Sequence, residues 1–147
     1  GVSSIDSTRQ LVTGLRFKAL GPGTGSAFAR FAKRRSLALP VINTAAVLGL
    51  KESTISEAKI VVAPVGPLPY RLTSVEKLLL GQNADLSQLQ QAIQDAAAET
   101  AFHSSIIRGD AAYRKHLARV LVFEVLEKAL ARARRYNSEG GVGHVKS

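Results

Sequence analysis

The sequence contains no cysteine. That absence removes disulfide scaffolds, thiol nucleophiles and cysteine metal sites together, and it is compatible with a cytoplasmic protein. Methionine is absent as well, and the chain opens on Gly1. Because translation starts on methionine, the expectation is a processed product, a fragment or an engineered start. Residues 1–10 are polar and lack the apolar stretch of a signal peptide. No apolar run approaches the ~20 residues that a membrane span needs. Residues 45–50 and 120–125 come nearest, and both are short and interrupted by Gly49 and Glu124.

Chemistry-bearing side chains are equally sparse. The three histidines are His103, His116 and His144. They fall in a connector, on a long predicted helix beside Lys115, and near the end of the chain. These spacings do not supply the three or four converging ligands that a metal site requires. Ser104 and Ser105 lie close to His103, but nucleophilic catalysis needs a nucleophile, a base and an orienting group in mutual reach. Sequence adjacency does not provide that. Glu57, Glu76, Asp95 and Glu99 read as solvated faces or helix charge pairs, while Glu124 is placed to meet a partner charge. The sequence therefore carries no complete catalytic site.

What is present is a chain of 147 residues, 46% of them apolar. That suffices to bury one core without metals or disulfides. The net charge is +9, which asks for an acidic partner surface or a nucleic acid. No nucleic-acid-binding motif accompanies the charge. A basic nucleic-acid-binding or docking module without a redox role is the competing reading.

Residues 11–20 alternate. Leu11, Thr13, Leu15, Phe17 and Ala19 share one face, and Arg16 and Lys18 lie on the other, which is the period of a half-buried strand. Gly21-Pro22-Gly23-Thr24-Gly25 then breaks the pattern. Residues 26–34 read as a short basic helix, with Ser26 as N-cap and Phe28 and Phe31 as anchors. Two β-branched runs, 41–50 and 57–63, read as an antiparallel hairpin. The proline-rich stretch 64–70 cannot be helical. Beyond it the pattern is helical over 74–80, 86–100 and 110–135, with Thr73 or Ser74, Asp85 and Asp110 as caps. Residues 137–147 read as a frayed, flexible tail. The expectation is one α+β domain over residues 1–136, with a small three- to four-stranded antiparallel sheet packed against three helices.

Two features suggest ligand contact. The glycine-rich turn at 21–25 lacks the lysine and spacing of a phosphate loop, although a turn leading into a helix would leave backbone N–H groups open to an anion. The cluster Arg30, Lys33, Arg34 and Arg35 fits a solvated face, or contact with a phosphate, a flavin or an acidic partner.

Three segments taken together carry a resemblance. They are Gly25-Ser26-Ala27-Phe28 through Arg30 and Lys33-Arg34-Arg35 to Pro40-Val41-Ile42-Asn43; Ala58-Lys59-Ile60-Val61-Val62-Ala63-Pro64-Val65-Gly66-Pro67-Leu68-Pro69-Tyr70-Arg71; and Tyr113-Arg114 with Leu117 and Val120-Leu121. In this order and spacing the chain resembles the C-terminal domain of the FAD-binding subunit of molybdenum hydroxylases, the xanthine dehydrogenase and carbon monoxide dehydrogenase family. The resemblance covers residues 11–135. It implies a domain that closes one side of a flavin site and docks neighbours without being catalytic alone, a part of an oxidoreductase. It also implies FAD held mostly by a preceding part of the same subunit, with molybdopterin and iron–sulfur clusters in partner subunits. Lys33, Arg34, Arg35 and Ser36 are the residues implied to approach the flavin.

Overall fold

The computed structural model describes residues 4–6, 8–34, 38–66, 68–106 and 108–138. Its sheet has four strands in the order β1-β2-β3-β4, each antiparallel to its neighbour. They are β1 (Thr24–Ala32), β2 (Pro40–Lys51), β3 (Thr54–Ala63) and the short β4 (Tyr70–Arg71). The helices follow: α1 (Thr73–Leu79), a 3-10 turn (Ser87–Leu89) leading into α2 (Gln90–Ala98), and α3 (Ala111–Ser138). Strands are segregated from helices, as an α+β chain requires.

Two elements differ from the sequence expectation. Residues 11–20 form no strand; they run without regular structure and every one of them is exposed. Residues 26–34 form no helix; most of them belong to β1. The physical reason is the side-chain alternation. Gly25 and Ala27 are buried and Ala29 and Phe31 partly so, all on one face, while Phe28 and Arg30 are exposed on the other. Small residues on the inner face let the strand lie close under a helix, and alanine disguises the period of two.

The β2–β3 hairpin is tighter than expected. Lys51 pairs with Thr54 across Glu52 and Ser53, and Glu52 takes a positive φ of 56°, the geometry that two-residue hairpins favour. The register shifts after Gly49, where the hydroxyl of Ser56 donates to the Gly49 carbonyl at 3.2 Å.

The core lies between the sheet's inner face and the helices. Rows such as Ala27–Ala46–Ile60 cross it, and Leu48, Ile55 and Val62 extend it. Helix α3 rests on β1 and β2, α1 on β3, and α2 against α3. Ala118, Val122, Val125, Leu126, Ala129 and Ala133 make the buried stripe of α3, the spacing of one helical face. Three of these are alanines, so α3 can settle deep. A Cβ built on Gly25 would lie 2.1 Å from the Ala129 carbonyl oxygen and 2.4 Å from the Ala133 nitrogen. Gly25 is required by that close approach.

The caps are mixed. The Asp110 carboxylate accepts the Tyr113 N–H at 2.6 Å and opens α3 as an N-cap. Asp85 accepts the N–H and hydroxyl of Ser87 ahead of the 3-10 turn. Neither Thr73 nor Ser74 caps α1, whose first turn has no side-chain cap. The expected tail falls largely on residues 139–147, which lie outside the described residues, as does His144; residues 137 and 138 continue α3.

Candidate functional site

The free edge strand β1 ends in a concentration of positive charge. Arg30, Ala32, Lys33 and Arg34 line an open cleft of about 300 Å³. The strand's alternation sends Arg30 to the uncovered face, and the chain leaves β1 immediately before Lys33 and Arg34, which are exposed. The Arg30 guanidinium donates to the Ala38 carbonyl, tying the strand exit to the approach of β2. Lys33 and Arg34 enter no ion pair among the described residues. No acidic side chain lines the cleft. Arg35 and Ser36, the other two residues implied to approach a flavin, lie outside the described residues.

This edge suits an anionic group, but it is shallow. Pockets that bury a ligand of cofactor size are enclosed and run to roughly 300–1,000 Å³. The cleft is open and at the low end, so it can line one side of a large cofactor and cannot enclose one. The glycine-rich turn does not supply a phosphate cradle either. No helix starts after it, the Thr24 N–H donates back to Gly21, and the Gly23 carbonyl accepts from Leu50. Its glycines serve the turn, where Gly23 has a φ of 69°, and the contact of Gly25 with α3.

Two buried charged groups hold the frame on which this edge sits. Glu76, read from sequence as part of a solvated face or a helix charge pair, is buried, 6% exposed, and its ion pair is with Arg71 of β4 rather than within a helix. Its Oε1 accepts the Ile60 N–H at 2.9 Å and the Arg71 Nε–H at 2.7 Å. The carboxylate thus joins α1 to β3 and β4, and the hydrogen bond and charge of Glu76 push the Arg71 guanidinium's pKa up. The signal was available in Arg71 at five residues' distance, but helix periodicity alone does not show that position 76 faces the sheet.

Arg114 is 3% exposed. Its Nη1 donates to the His103 carbonyl at 2.8 Å and its Nη2 to the Pro64 carbonyl. The guanidinium also stacks 4.7 Å from the Phe102 ring centroid. Burial, and then the charge of Arg108, lower its pKa. It clamps the start of α3 to the exit of β3, where the Ala63–Pro64 peptide bond is cis. At the other end of α3, Arg132 donates to the Ser26 carbonyl and Arg134 to the Ala84 carbonyl. Glu124 pairs with Lys128 one helical turn on.

Other candidate groups are occupied locally. The Ser104 hydroxyl oxygen accepts the Ala111 N–H and that of Ser105 accepts the Arg108 N–H. Among the described residues no group of three His, Cys, Asp or Glu side chains is arranged to hold a metal ion. No helix among them is long and apolar enough to cross a membrane.

Comparison with known proteins gives a consistent result. The sequence profile of the CO dehydrogenase flavoprotein C-terminal domain matches residues 27–129. Carbon monoxide dehydrogenase from Hydrogenophaga pseudoflava, solved without the Mo-pyranopterin moiety of the molybdenum cofactor, is similar at 31% identity and a TM-score of 0.71. The match covers 78% of this chain and 39% of that one. Reconstituted CO dehydrogenase from Oligotropha carboxidovorans is 26% identical with a TM-score of 0.66, over 75% of this chain and 38% of the other. Quinoline 2-oxidoreductase from Pseudomonas putida 86, at 23% identity and a TM-score of 0.67 over 76% and 39% of the two chains, shares the fold. The chain therefore spans about two fifths of the length of the solved chains it matches. No curated protein matches it.

Proposed function

The chain belongs to the CO dehydrogenase flavoprotein C-terminal domain family, and from that premise we propose that it covers one side of the flavin site in the FAD-binding subunit of a molybdenum-dependent hydroxylase or dehydrogenase. The observation that carries this reading is the family match over residues 27–129. The site geometry supports it. An open edge with three basic side chains, no acidic one and no enclosing wall is what a domain needs if it contributes to a cofactor site and does not own it. Lys33, Arg34, Arg35 and Ser36 are the proposed flavin-side residues, and the preceding part of the subunit holds most of the FAD. FAD supplies the acceptance and onward transfer of electrons; this chain's residues supply positive charge and closure.

The same reading makes partners of the subunits that carry molybdopterin and the iron–sulfur clusters, and it places the assembly in the cytoplasm. Docking to them is the second role proposed for the domain, which is not catalytic alone. The test is a titration of the 147-residue chain with FAD, followed by flavin fluorescence. Weak or no binding is expected. Tight stoichiometric binding by the chain alone refutes the argument that its basic edge lines only one side of the cofactor.

A further inference from the structure

Between α2 and α3 the chain turns back on itself at Ser105 and Gly109. These two residues exchange backbone hydrogen bonds of 2.9 and 2.8 Å. The Ser105 hydroxyl oxygen accepts the Arg108 N–H at 3.3 Å, and Gly109 takes a φ of 97°, where any other residue would be strained. Both flanks are fixed. Before the turn, the Phe102 ring lies against the Arg114 guanidinium and the His103 carbonyl accepts from it. After the turn, Asp110 caps α3. Ile106 stands on this frame and is fully exposed, more so than any other large apolar side chain among the described residues. A lone isoleucine in water is ordinary on a protein surface. One presented on a closed turn has already lost the backbone freedom that binding would otherwise cost.

The charge beside it is unmatched. Arg108 is part-exposed, and neither Arg108 nor Arg114 enters an ion pair among the described residues. The two are near enough for the charge of Arg108 to lower the Arg114 pKa, after burial. The Nε of each is shut from solvent without a hydrogen-bond partner, and such unmade donors cost stability. Both cations also sit by the N-terminal end of α3, where the helix dipole opposes them. An incoming carboxylate offsets this charge. A free inorganic anion would do so and leave Ile106 in water; a protein surface with an apolar socket beside a carboxylate meets both needs.

Position selects the protein. A Cβ on Gly109 would lie 3.3 Å from the Tyr113 ring. Tyr113 meets Phe31 edge-on, with ring centroids 6.4 Å apart, and Phe31 stands two residues before Lys33. The turn and the basic edge therefore share one end of the domain, the end proposed to face the flavin. The chain enters β1 at the other end, nine residues away, a distance of about 30 Å. The 78% of this chain that matches the Hydrogenophaga pseudoflava enzyme is 39% of that chain, so the relative is about twice as long and its remainder can span that length.

We infer that Ile106 and Arg108 anchor this domain to the preceding, flavin-holding part of the same subunit, with Ile106 in an apolar socket of that part and Arg108 against a carboxylate at the socket's rim. The anchor is separate from the basic edge: the turn holds the domain in place, and the edge faces the cofactor. This inference rests on the reading that the chain closes a flavin site in a longer subunit.

The chain has no cysteine, so Ile106→Cys gives it a single thiol on an exposed turn. Maleimide labelling with peptide mass spectrometry reads the accessibility of that thiol in two samples: the 147-residue chain, and the subunit expressed from its complete coding sequence, with bound flavin measured on the second. In the chain alone the thiol should react as a free one does. In the complete subunit it should react about 100-fold more slowly, the protection of a contact closed about 99% of the time. Adding Arg108→Glu should raise that slowed rate about tenfold or more, because attraction becomes repulsion; Arg108→Lys, which keeps the charge, should raise it less. Equal rates in the two samples, with flavin bound, overturn the anchor and leave the flavin reading standing. A protected thiol without bound flavin supports the anchor and removes the flavin reading. Protection that ignores Arg108→Glu overturns the carboxylate. Protection that appears only when another subunit is added, or that grows with the concentration of the chain alone, overturns the inference by making another subunit or a second copy the partner.

Discussion

The substitution Gly25→Ala tests the packing of α3 on β1 directly. A Cβ at this position would stand 2.1 Å from the Ala129 carbonyl oxygen, 2.4 Å from the Ala133 nitrogen and 3.0 Å from the Arg132 carbonyl carbon. All three obstacles are backbone atoms in the middle of a helix, so no rotamer change relieves them. The strand and the helix must separate by about 1 Å to reach the shortest tolerable contact, and interiors packed at crystal density transmit such a shift. That separation loosens the alanine-lined contact and stretches the bond from Arg132 to the Ser26 carbonyl. Overpacking of this kind typically costs about 1–3 kcal/mol, and a backbone obstruction belongs at the upper end. A loss of about 3 kcal/mol lowers Tm by roughly 6–12 °C for a domain of this size. Urea and thermal unfolding followed by circular dichroism measure it. Gly14→Ala is the control, since nothing lies within 4 Å of a Cβ there. If Gly25→Ala unfolds within about 0.5 kcal/mol of the parent, as a neutral surface change does, the close approach of α3 is wrong.

Glu76→Ala should cost about 2–3 kcal/mol in urea unfolding, because it strands the buried Ile60 N–H; Arg71→Ala, at the exposed end of the same pair, should cost far less. Arg114→Lys should destabilise nearly as much as Arg114→Ala, since an ammonium cannot span the His103 and Pro64 carbonyls as a guanidinium fork does; equal stability of the lysine variant and the parent would refute the clamp. In the complete subunit, Lys33→Glu with Arg34→Glu should weaken FAD binding about tenfold through lost charge complementarity and leave the unfolding of this chain unchanged. Asp85 accepts two bonds from Ser87, which, with the more distant charge of Arg134, hold its carboxyl below the ordinary 3.8. Its contribution is therefore present above that value and disappears as the pH falls through the folded pKa; a carboxyl titration by NMR should give a midpoint below 3.8.

The helical half of the fold was open to reading from sequence because its signals are local. Asp110 caps α3, and the stripe from Ala118 to Ala133 repeats at helical spacing. The β2–β3 hairpin was legible for the same reason, as two β-branched runs around a polar turn. β1 was misread because its inner face is built from Gly25, Ala27 and Ala29, residues too small to display a hydrophobic period, while Phe28 and Phe31 mimic helix spacing. Residues 11–20 show the opposite failure. Their alternation is plain, but a strand exists only where another strand pairs with it, and among the described residues none pairs with them. The basic edge could be found by charge alone, whereas the tasks of Glu76 and Arg114 depend on contacts across 16 and 50 positions, which no local pattern records.

The bond from Arg132 to Ser26 closes a loop of 106 residues, and Gly25 meets α3 at the same place. The first strand of the sheet is thus made before the other strands and covered last. At a translation rate of about 5–20 residues per second, β1 leaves the ribosome roughly 5–20 s before the helix that shelters it. During that interval its alanine-rich inner face and its free edge are open to water and to other nascent chains. A stalled ribosome or a truncation upstream of Arg132 would leave the sheet assembled on one side only. The protein's exposure to misassembly is therefore set by when α3 emerges, a quantity that codon choice between the stretches encoding β1 and α3 can change without altering a single residue.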